Sequence, residues 1–334
     1  MNFHRKIAID LGTANTLVYV AGEGIVLNEP TVVAYSVDNR RILAVGDDAR
    51  EMLGRTPGSI IASRPLKEGV IADYTVTEAM ITYFLKKASR SFAIKSEIMI
   101  SIPGGSTQVE KRAVVSACKA AGSSEVYLME EPLAAAIGAK IPISHPSGHM
   151  IINLGGGTAE IAVISLGQLV VYKSVRVAGT RMDEAIITYL RKKYNLIIGE
   201  RTAEDVKIKI GNAFLSDAKK ESTYEVKGRD FQTGLPKIVA IEEDAVSEAL
   251  QKPLKQILEG VKEVLSQTPP ELASDIVDQG IVLSGGTALL KGIDKYISHN
   301  IGVVAFVAEE PLFCVIRGLG MAIENLDSYK EAIR

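Results

Sequence analysis

Ile7-Ala8-Ile9-Asp10-Leu11-Gly12-Thr13-Ala14-Asn15-Thr16-Leu17-Val18-Tyr19-Val20 reads as a strand, a tight glycine turn and a second strand. β-Branched and aromatic residues flank a short run of small and polar ones, the composition of a hairpin. The same plan returns at Met150-Ile151-Ile152-Asn153-Leu154-Gly155-Gly156-Gly157-Thr158-Ala159-Glu160-Ile161-Ala162-Val163, where Asn153-Leu154-Gly155 follows Asp10-Leu11-Gly12 by 143 residues. That offset is close to half of the 334-residue chain. It is too long for a solenoid, whose repeats run to roughly 20–50 residues, and it predicts two related α/β halves.

A hairpin tip of glycine and small residues lets backbone N–H groups approach an anion unobstructed. Thr13 and Thr16 add hydroxyls there and Asn15 an amide. Two such tips, one from each half, would clasp a polyphosphate from opposite sides, with Gly285-Gly286 as a third glycine turn. Asp10, at a strand end, would hold Mg2+ through bound water, as is usual for a phosphate-bound metal. A single glycine turn matches often by chance, so the pairing carries the argument. No Walker-type phosphate loop occurs, and neither hairpin turn leads from a strand into a helix, which excludes P-loop and Rossmann sites.

Between and beyond the hairpins, strands alternate with amphipathic helices, the pattern of packed α/β layers. Ile25-Val26-Leu27 and the run Thr31–Tyr35 are short strands broken by Pro30, and Ile98–Ile102 is a buried-strand pattern ending at Pro103. Residues 77–88 put Met80, Ile81, Phe84, Leu85 and Ala88 on one helical face, and residues 109–121 do so for Val109, Ala113, Val114 and Ala117. In the second half a helix over 183–194 turns Ile186, Ile187, Leu190 and Tyr194 inward. The charged stretch 221–242, with Gly228 and Gly234 as turn points, reads as a small subdomain or an exposed hairpin. A helix over 243–267 stops at Pro269-Pro270, and Ile281–Ser284 is a strand.

Composition narrows the function classes. Lys and Arg number 38 against 40 Asp and Glu, a net charge of −2, so no general polyanion surface is expected. Aromatics are 5% of the chain and Trp is absent, so stacking platforms for single strands are poorly supplied and nucleic acid is not an expected partner. Cys118 and Cys314 cannot build a disulfide framework and read as core, while His4, His145, His149 and His299 lack metal-ligand spacing and read as surface or loop residues. No secretory segment opens the chain and no apolar run reaches the ~18 residues of a membrane span. The expectation is a soluble, cytoplasmic protein.

Ile9-Asp10-Leu11-Gly12-Thr13-Ala14-Asn15-Thr16, Glu130-Glu131-Pro132-Leu133-Ala134-Ala135-Ala136-Ile137-Gly138 and Gly155-Gly156-Gly157-Thr158-Ala159-Glu160 together resemble the actin–Hsp70–sugar kinase superfamily. Within it the chain resembles the MreB-type bacterial actins, through Gly54-Arg55-Thr56-Pro57-Gly58, Gly69-Val70-Ile71-Ala72-Asp73-Tyr74, Val177-Ala178-Gly179 with Asp183, and Ile197-Ile198-Gly199-Glu200-Arg201-Thr202-Ala203-Glu204. The resemblance covers essentially the whole chain. It implies an actin-like α/β fold of two related lobes, each a mixed sheet flanked by helices and each split into two subdomains. The first lobe would take residues 1–140 and 316–334, with its outer subdomain at about 30–75. The second would take 141–315, with its outer subdomain at about 181–249.

The same resemblance implies an ATPase that polymerises into filaments on the inner face of the cytoplasmic membrane. Such filaments direct cell-wall synthesis with membrane proteins of wall elongation and so maintain rod shape. ATP or ADP would lie between the lobes. Asp10, Gly12, Thr13, Ala14 and Asn15 would form the first phosphate loop, and Gly155, Gly156, Gly157 and Thr158 the second. Glu204 and Lys207 would reach ribose and adenine, and Gly285, Gly286, Thr287 and Ala288 would close the adenosine side. Glu131 would orient the attacking water, with Thr158 as a second positioner and Glu130 beside it. Mg2+ would be held through water by Asp10 and Asn153.

Two positions depart from the family pattern. Asn153 replaces the usual Asp and removes a negative charge near Mg2+, which predicts slow hydrolysis or weaker metal binding. Thr287 replaces a glycine, and a β-branched residue resists positive φ, so that turn is expected to differ. The resemblance implies membrane contact through an N-terminal amphipathic helix, a small hydrophobic loop, or both. The six residues before the first strand are expected to be too few for the helix, and Phe92 and Ile94, among Lys86, Lys87, Arg90 and Lys95, either form that loop or tuck into the core. Two other classes compete. An Hsp70-type chaperone ATPase would need a peptide-binding domain, which does not follow the fold. A small-molecule kinase of the superfamily would need a base for the acceptor hydroxyl, which the sequence does not identify.

Overall fold

Two five-stranded sheets of identical topology frame the molecule; the computed structural model describes residues 5–89, 96–215, 222–330 and 332–333. In the first, β1 (Arg5–Leu11), β2 (Asn15–Val20) and β3 (Gly24–Pro30) form an antiparallel meander, and β9 (Ser96–Ile102) and β10 (Ser123–Glu130) extend it in parallel. The second repeats this with β11 (His149–Leu154), β12 (Ala159–Ser165) and β13 (Gln168–Val175) as the meander and β17 (Ile281–Ser284) and β18 (Ala305–Val307) as the parallel strands. The echo extends to register. Asp10 pairs with Leu17 and Leu11 with Thr16; Asn153 pairs with Glu160 and Leu154 with Ala159, the same offset on both strands. Leu17 in one half is therefore matched by Glu160 in the other.

Smaller sheets sit beside each frame. β4 (Val33–Ser36), β5 (Ile42–Val45) and β6 (Ile60–Ser63) form one, with α1 (Asp47–Met52) against it, and β7 (Leu66–Lys67) and β8 (Val70–Ile71) form a tight hairpin. β14 (Leu196–Ile197), β15 (Thr223–Asp230) and β16 (Pro236–Glu242) form the other, so residues 223–242 are a hairpin within a three-stranded sheet. Gly234 does make the turn, at φ +73°, but Gly228 lies inside β15 opposite Lys237, where a Cβ would stand 2.9 Å from Leu196 Cδ1. It is a close-approach glycine and not a turn.

The helices follow the apolar periods. α2 (Tyr74–Ser89) buries Met80, Ile81, Phe84, Leu85 and Ala88 on the first sheet. Each large side chain removed from water there contributes about 1.5–3 kcal/mol. α3 (Gln108–Ala120) packs beside it through Val114, Ala117 and Cys118, whereas Val109, expected inward, is 75% exposed. The capping box of Thr107 and Glu110 fixes where the helix starts, and the first turn carries Val109 outward. α5 (Gly179–Tyr194), α6 (Glu200–Ile210) and α7 (Glu243–Gln267) cover the second sheet, with α8 (Pro270–Gln279) and α9 (Ile293–Ile301) at its margin. His149 is buried at the head of β11 beside the Ser147 hydroxyl, at 3.1 Å, so it is not a surface residue; His145 and His299 are exposed.

The remaining faces of the two sheets share one core. α4 (Glu131–Gly138) and α10 (Cys314–Glu324) lie among Ala8, Leu17 and Met99 of the first sheet and Ile151, Ala162 and Ile164 of the second. Both cysteines are buried, Cys118 under the first sheet and Cys314 in this shared core. His4, Phe92 and Ile94 lie outside the described residues. Among the described residues no helix is long and apolar enough to cross a membrane.

Candidate functional site

The tips of the two meanders face each other. A Cβ on Gly156 would stand 2.6 Å from Ala14 Cβ, so the second loop closes on the first only because it has no side chain there. Between them opens a cavity of about 380 Å³, a size that suits a small ligand. Asp10, Gly12, Thr13, Ala14 and Asn15 line one wall, and Gly155, Gly156, Gly157 and Thr158 the opposite one. Glu131, Asn153, Glu204, Lys207, Gly285, Gly286 and Thr287 complete it.

Two of the expected residues do not reach the cavity. Glu130 ends β10 and Glu131 begins α4; Glu131 lines the cavity, whereas Glu130 is buried and does not. Ala288 is packed in the core of the second half, its N–H donating to Gly285 O at 3.1 Å. The positive φ in that turn belongs to Gly285, at +85°. Thr287 instead sits in a 3-10 turn without a positive φ and donates its hydroxyl to Gly155 O at 2.7 Å, so the threonine ties the second loop to the Gly285-Gly286 turn.

Acids gather at the inner end. The Ser101 hydroxyl donates to Asp10 Oδ1 at 2.9 Å, yet burial pushes Asp10 up to about 6. Glu131 is held well above the usual carboxylate range by burial and then by the charges of Glu160 and Asp10, while the Asn153 amide, donating to Oε2 at 3.2 Å, opposes the rise. Ser284 donates to the Asn153 carbonyl at 3.1 Å and so fixes which way the amide faces. Glu160 is pushed up to about 7 by burial, against hydrogen bonds from Ser174 (2.6 Å) and Gly104 N–H (3.0 Å). Such a cluster is short of positive charge, which a cation arriving with a polyphosphate would supply. Among the described residues no group of three or more His, Cys, Asp or Glu is arranged to hold a metal by itself. The donor set fits a magnesium ion carried by phosphate and water better than one held by the protein alone; Asp10 and Asn153, which line the cavity, would be the residues to meet its hydration shell.

Several residues here carried no role in the sequence reading. Arg64 lines the cavity and donates to Ala14 O at 3.0 Å. The β7–β8 turn lies against the first meander tip: Gly69 N–H donates to Thr13 Oγ1 at 3.2 Å, and Glu68 pairs with Arg181 of α5 at 2.6 Å. Glu68 holds φ +50°, uncommon for a residue with a long side chain. Lys207 pairs with Asp183 at 2.8 Å and donates to Gly179 O at 3.1 Å; burial still pushes Asp183 up to about 6. The runs containing Gly69 and Asp183 stand out in the sequence, but nothing in them indicates that they meet.

A family profile described as MreB/Mbl protein matches residues 4–331. The cell shape-determining protein MreB of Escherichia coli (strain K12) is 50% identical over 333 residues, 98% of this chain and 95% of that protein. The cell shape-determining protein Mbl of Bacillus cereus is 47% identical over 334 residues, 99% and 100% of the two chains. Crystal structures of MreB5 of Spiroplasma citri, bound to ADP and to AMPPNP, superpose with a TM-score of 0.93 at 37% identity and 99% coverage of both chains. A MamK double helical filament, at TM-score 0.81 and 20% identity, shares the fold. With a whole-length profile match, relatives of about half-identical sequence and an actin-like fold duplicated down to its strand register, the chain belongs to the MreB/Mbl family.

Proposed function

We propose that this chain is an ATP-dependent cytoskeletal protein that assembles into filaments at the inner face of the cell membrane and helps determine cell shape. The observation that carries the reading is the pair of meander tips facing each other across one cavity, Gly156 against Ala14. The names of the relatives and the nucleotides in the MreB5 structures support it. In this reading the cavity divides residues 1–140 with 316–334 from residues 141–315, with outer subdomains at about 30–75 and 181–249. Wall-elongation membrane proteins are the expected partners, and Phe92 and Ile94 the expected lipid contact.

Phosphoryl transfer to water needs positioning and charge stabilisation more than covalent help. Backbone N–H groups of residues 12–15 and 155–158 would hold the phosphates, Glu204 and Lys207 the nucleoside, and Asp10 and Asn153 the hydration shell of Mg2+. The metal would offset phosphate charge. Glu131, in contact with Asn153 and close to Asp10, would orient the attacking water with Thr158. Because Asn153 brings no charge, hydrolysis would be slow.

Pelleting and electron microscopy with Mg-ATP, Mg-ADP or no nucleotide, each with and without anionic liposomes, test this. Filaments are expected with Mg-ATP, and co-sedimentation with liposomes that drops when Phe92 and Ile94 are both changed to Ser. Absence of assembly in every condition, together with ATP-dependent phosphorylation of a sugar, would overturn the reading in favour of a kinase.

A further inference from the structure

Arg50 does not line the cavity, yet it grips one of its walls. It lies on α1, which packs on β4, β5 and β6 beside the first sheet, and its Nη2 donates to Glu204 Oε2 on α6 at 2.9 Å. α6 packs in the core of the second sheet, so this ion pair crosses the mouth of the cleft. Lys207, one turn along α6, is engaged with Asp183 and Gly179 O. Glu204, which lines the cavity, thus has one oxygen held by Arg50 and a second that a ligand hydroxyl could donate to.

We propose that Arg50 is a retention residue: it aims Glu204 at the sugar of a bound nucleotide and ties α1 to α6, so that release requires this ion pair to break. The inference rests on the nucleotide reading of the cavity. Arg50 acts through Glu204 and is therefore a positioning residue. Its side chain is 34% exposed and that of Glu204 26%, so the pair is strong enough to slow release but open to screening by salt. The second cross-cleft pair, Glu68 with Arg181, stands at the phosphate end and is untouched by a change at Arg50. Loss of Arg50 then loosens one end only, and the expected effect on release is about 3- to 10-fold.

The full chain is loaded with 1,N6-etheno-ATP, whose label sits on the base and leaves the sugar free, and is chased with excess ATP. Arg50→Ala is expected to release it about 3- to 10-fold faster than wild type, and Arg50→Lys within about twofold of wild type. Arg41→Ala, the same charge change at an exposed position, is expected to match wild type. Raising the ionic strength should accelerate release from wild type by a larger factor than from Arg50→Ala, which keeps only the Glu68–Arg181 pair to be screened, a difference that a purely structural role would not produce. Release from Arg50→Ala at the wild-type rate, or with the wild-type salt response, overturns the proposal while the nucleotide site stands. Failure of wild type to bind the probe at all overturns both.

Discussion

Asn153 shows how one atom changes the balance of the site. Its amide donates to Glu131 while Ser284 donates to its carbonyl, so the side chain links β11, β17 and the start of α4. An aspartate there could not donate, and would set a fourth acid beside Glu131, Glu160 and Asp10. Asn153→Asp is therefore expected to lower the stability of the nucleotide-free protein by about 1–3 kcal/mol, the usual cost of facing a buried acceptor with no donor. The sign should reverse once charge is supplied: Mg-ATP should raise the melting temperature of the variant more than that of wild type, and phosphate release should quicken. Thermal melts with and without Mg-ATP check this, and equal shifts in the two proteins would show that the amide is indifferent. Thr287 teaches the converse. Read as an obstacle to a glycine turn, it is a hydrogen-bonded brace, because the left-handed residue is Gly285, two positions earlier.

At the level of elements, the N-terminus of α7 is fastened by a polar node. Glu243 accepts from Asn212 (2.6 Å), Ser222 (2.6 Å) and Lys291 (2.7 Å), joining α7 to the exits of α6 and of the Gly286–Leu289 turn. Burial alone would raise its pKa, but Lys291 and the two neutral donors outweigh it and hold Glu243 at about 2. A depressed acid stabilises the fold above its unfolded pKa and loses that contribution as pH falls through the folded value. The contribution should be complete above pH about 5 and fade toward pH 2. Urea titrations across that range should show a steeper loss for wild type than for Glu243→Gln; parallel curves would mean that the node adds nothing to stability. Elements of this kind explain what the sequence discloses. Local periods reveal the hairpins and α2, because their side chains meet neighbours close in the chain. The outward face of Val109, the close approach at Gly228 and the roles of Arg64 and Glu68 depend on partners far away in sequence, so no local pattern marks them.

At the level of the whole molecule, the duplication gives two sheets and the cavity lies where their tips meet, but α4 and α10 hold the sheets at the angle that makes the cavity. These helices approach backbone to backbone. A Cβ on Gly318 would stand 2.7 Å from the Ala134 carbonyl carbon, and one on Gly138 2.7 Å from that of Cys314. Backbone cannot rotate aside as a side chain can, so Gly318→Ala must push the helices apart within a core that both sheets share. Overpacking ordinarily costs about 1–3 kcal/mol, and a rigid backbone contact belongs at the upper end. Gly58→Ala, where a Cβ would meet nothing within 4 Å, controls for the added methyl. Because α10 touches the cavity through Val315 and α4 through Glu131, the displaced helices should also weaken ATP binding, although neither glycine lines the cavity. Urea unfolding and equilibrium nucleotide binding on the two variants separate the outcomes. Loss of stability and of affinity together is expected for Gly318→Ala; loss of stability alone would mean that the helices cement the lobes without setting the cleft between them.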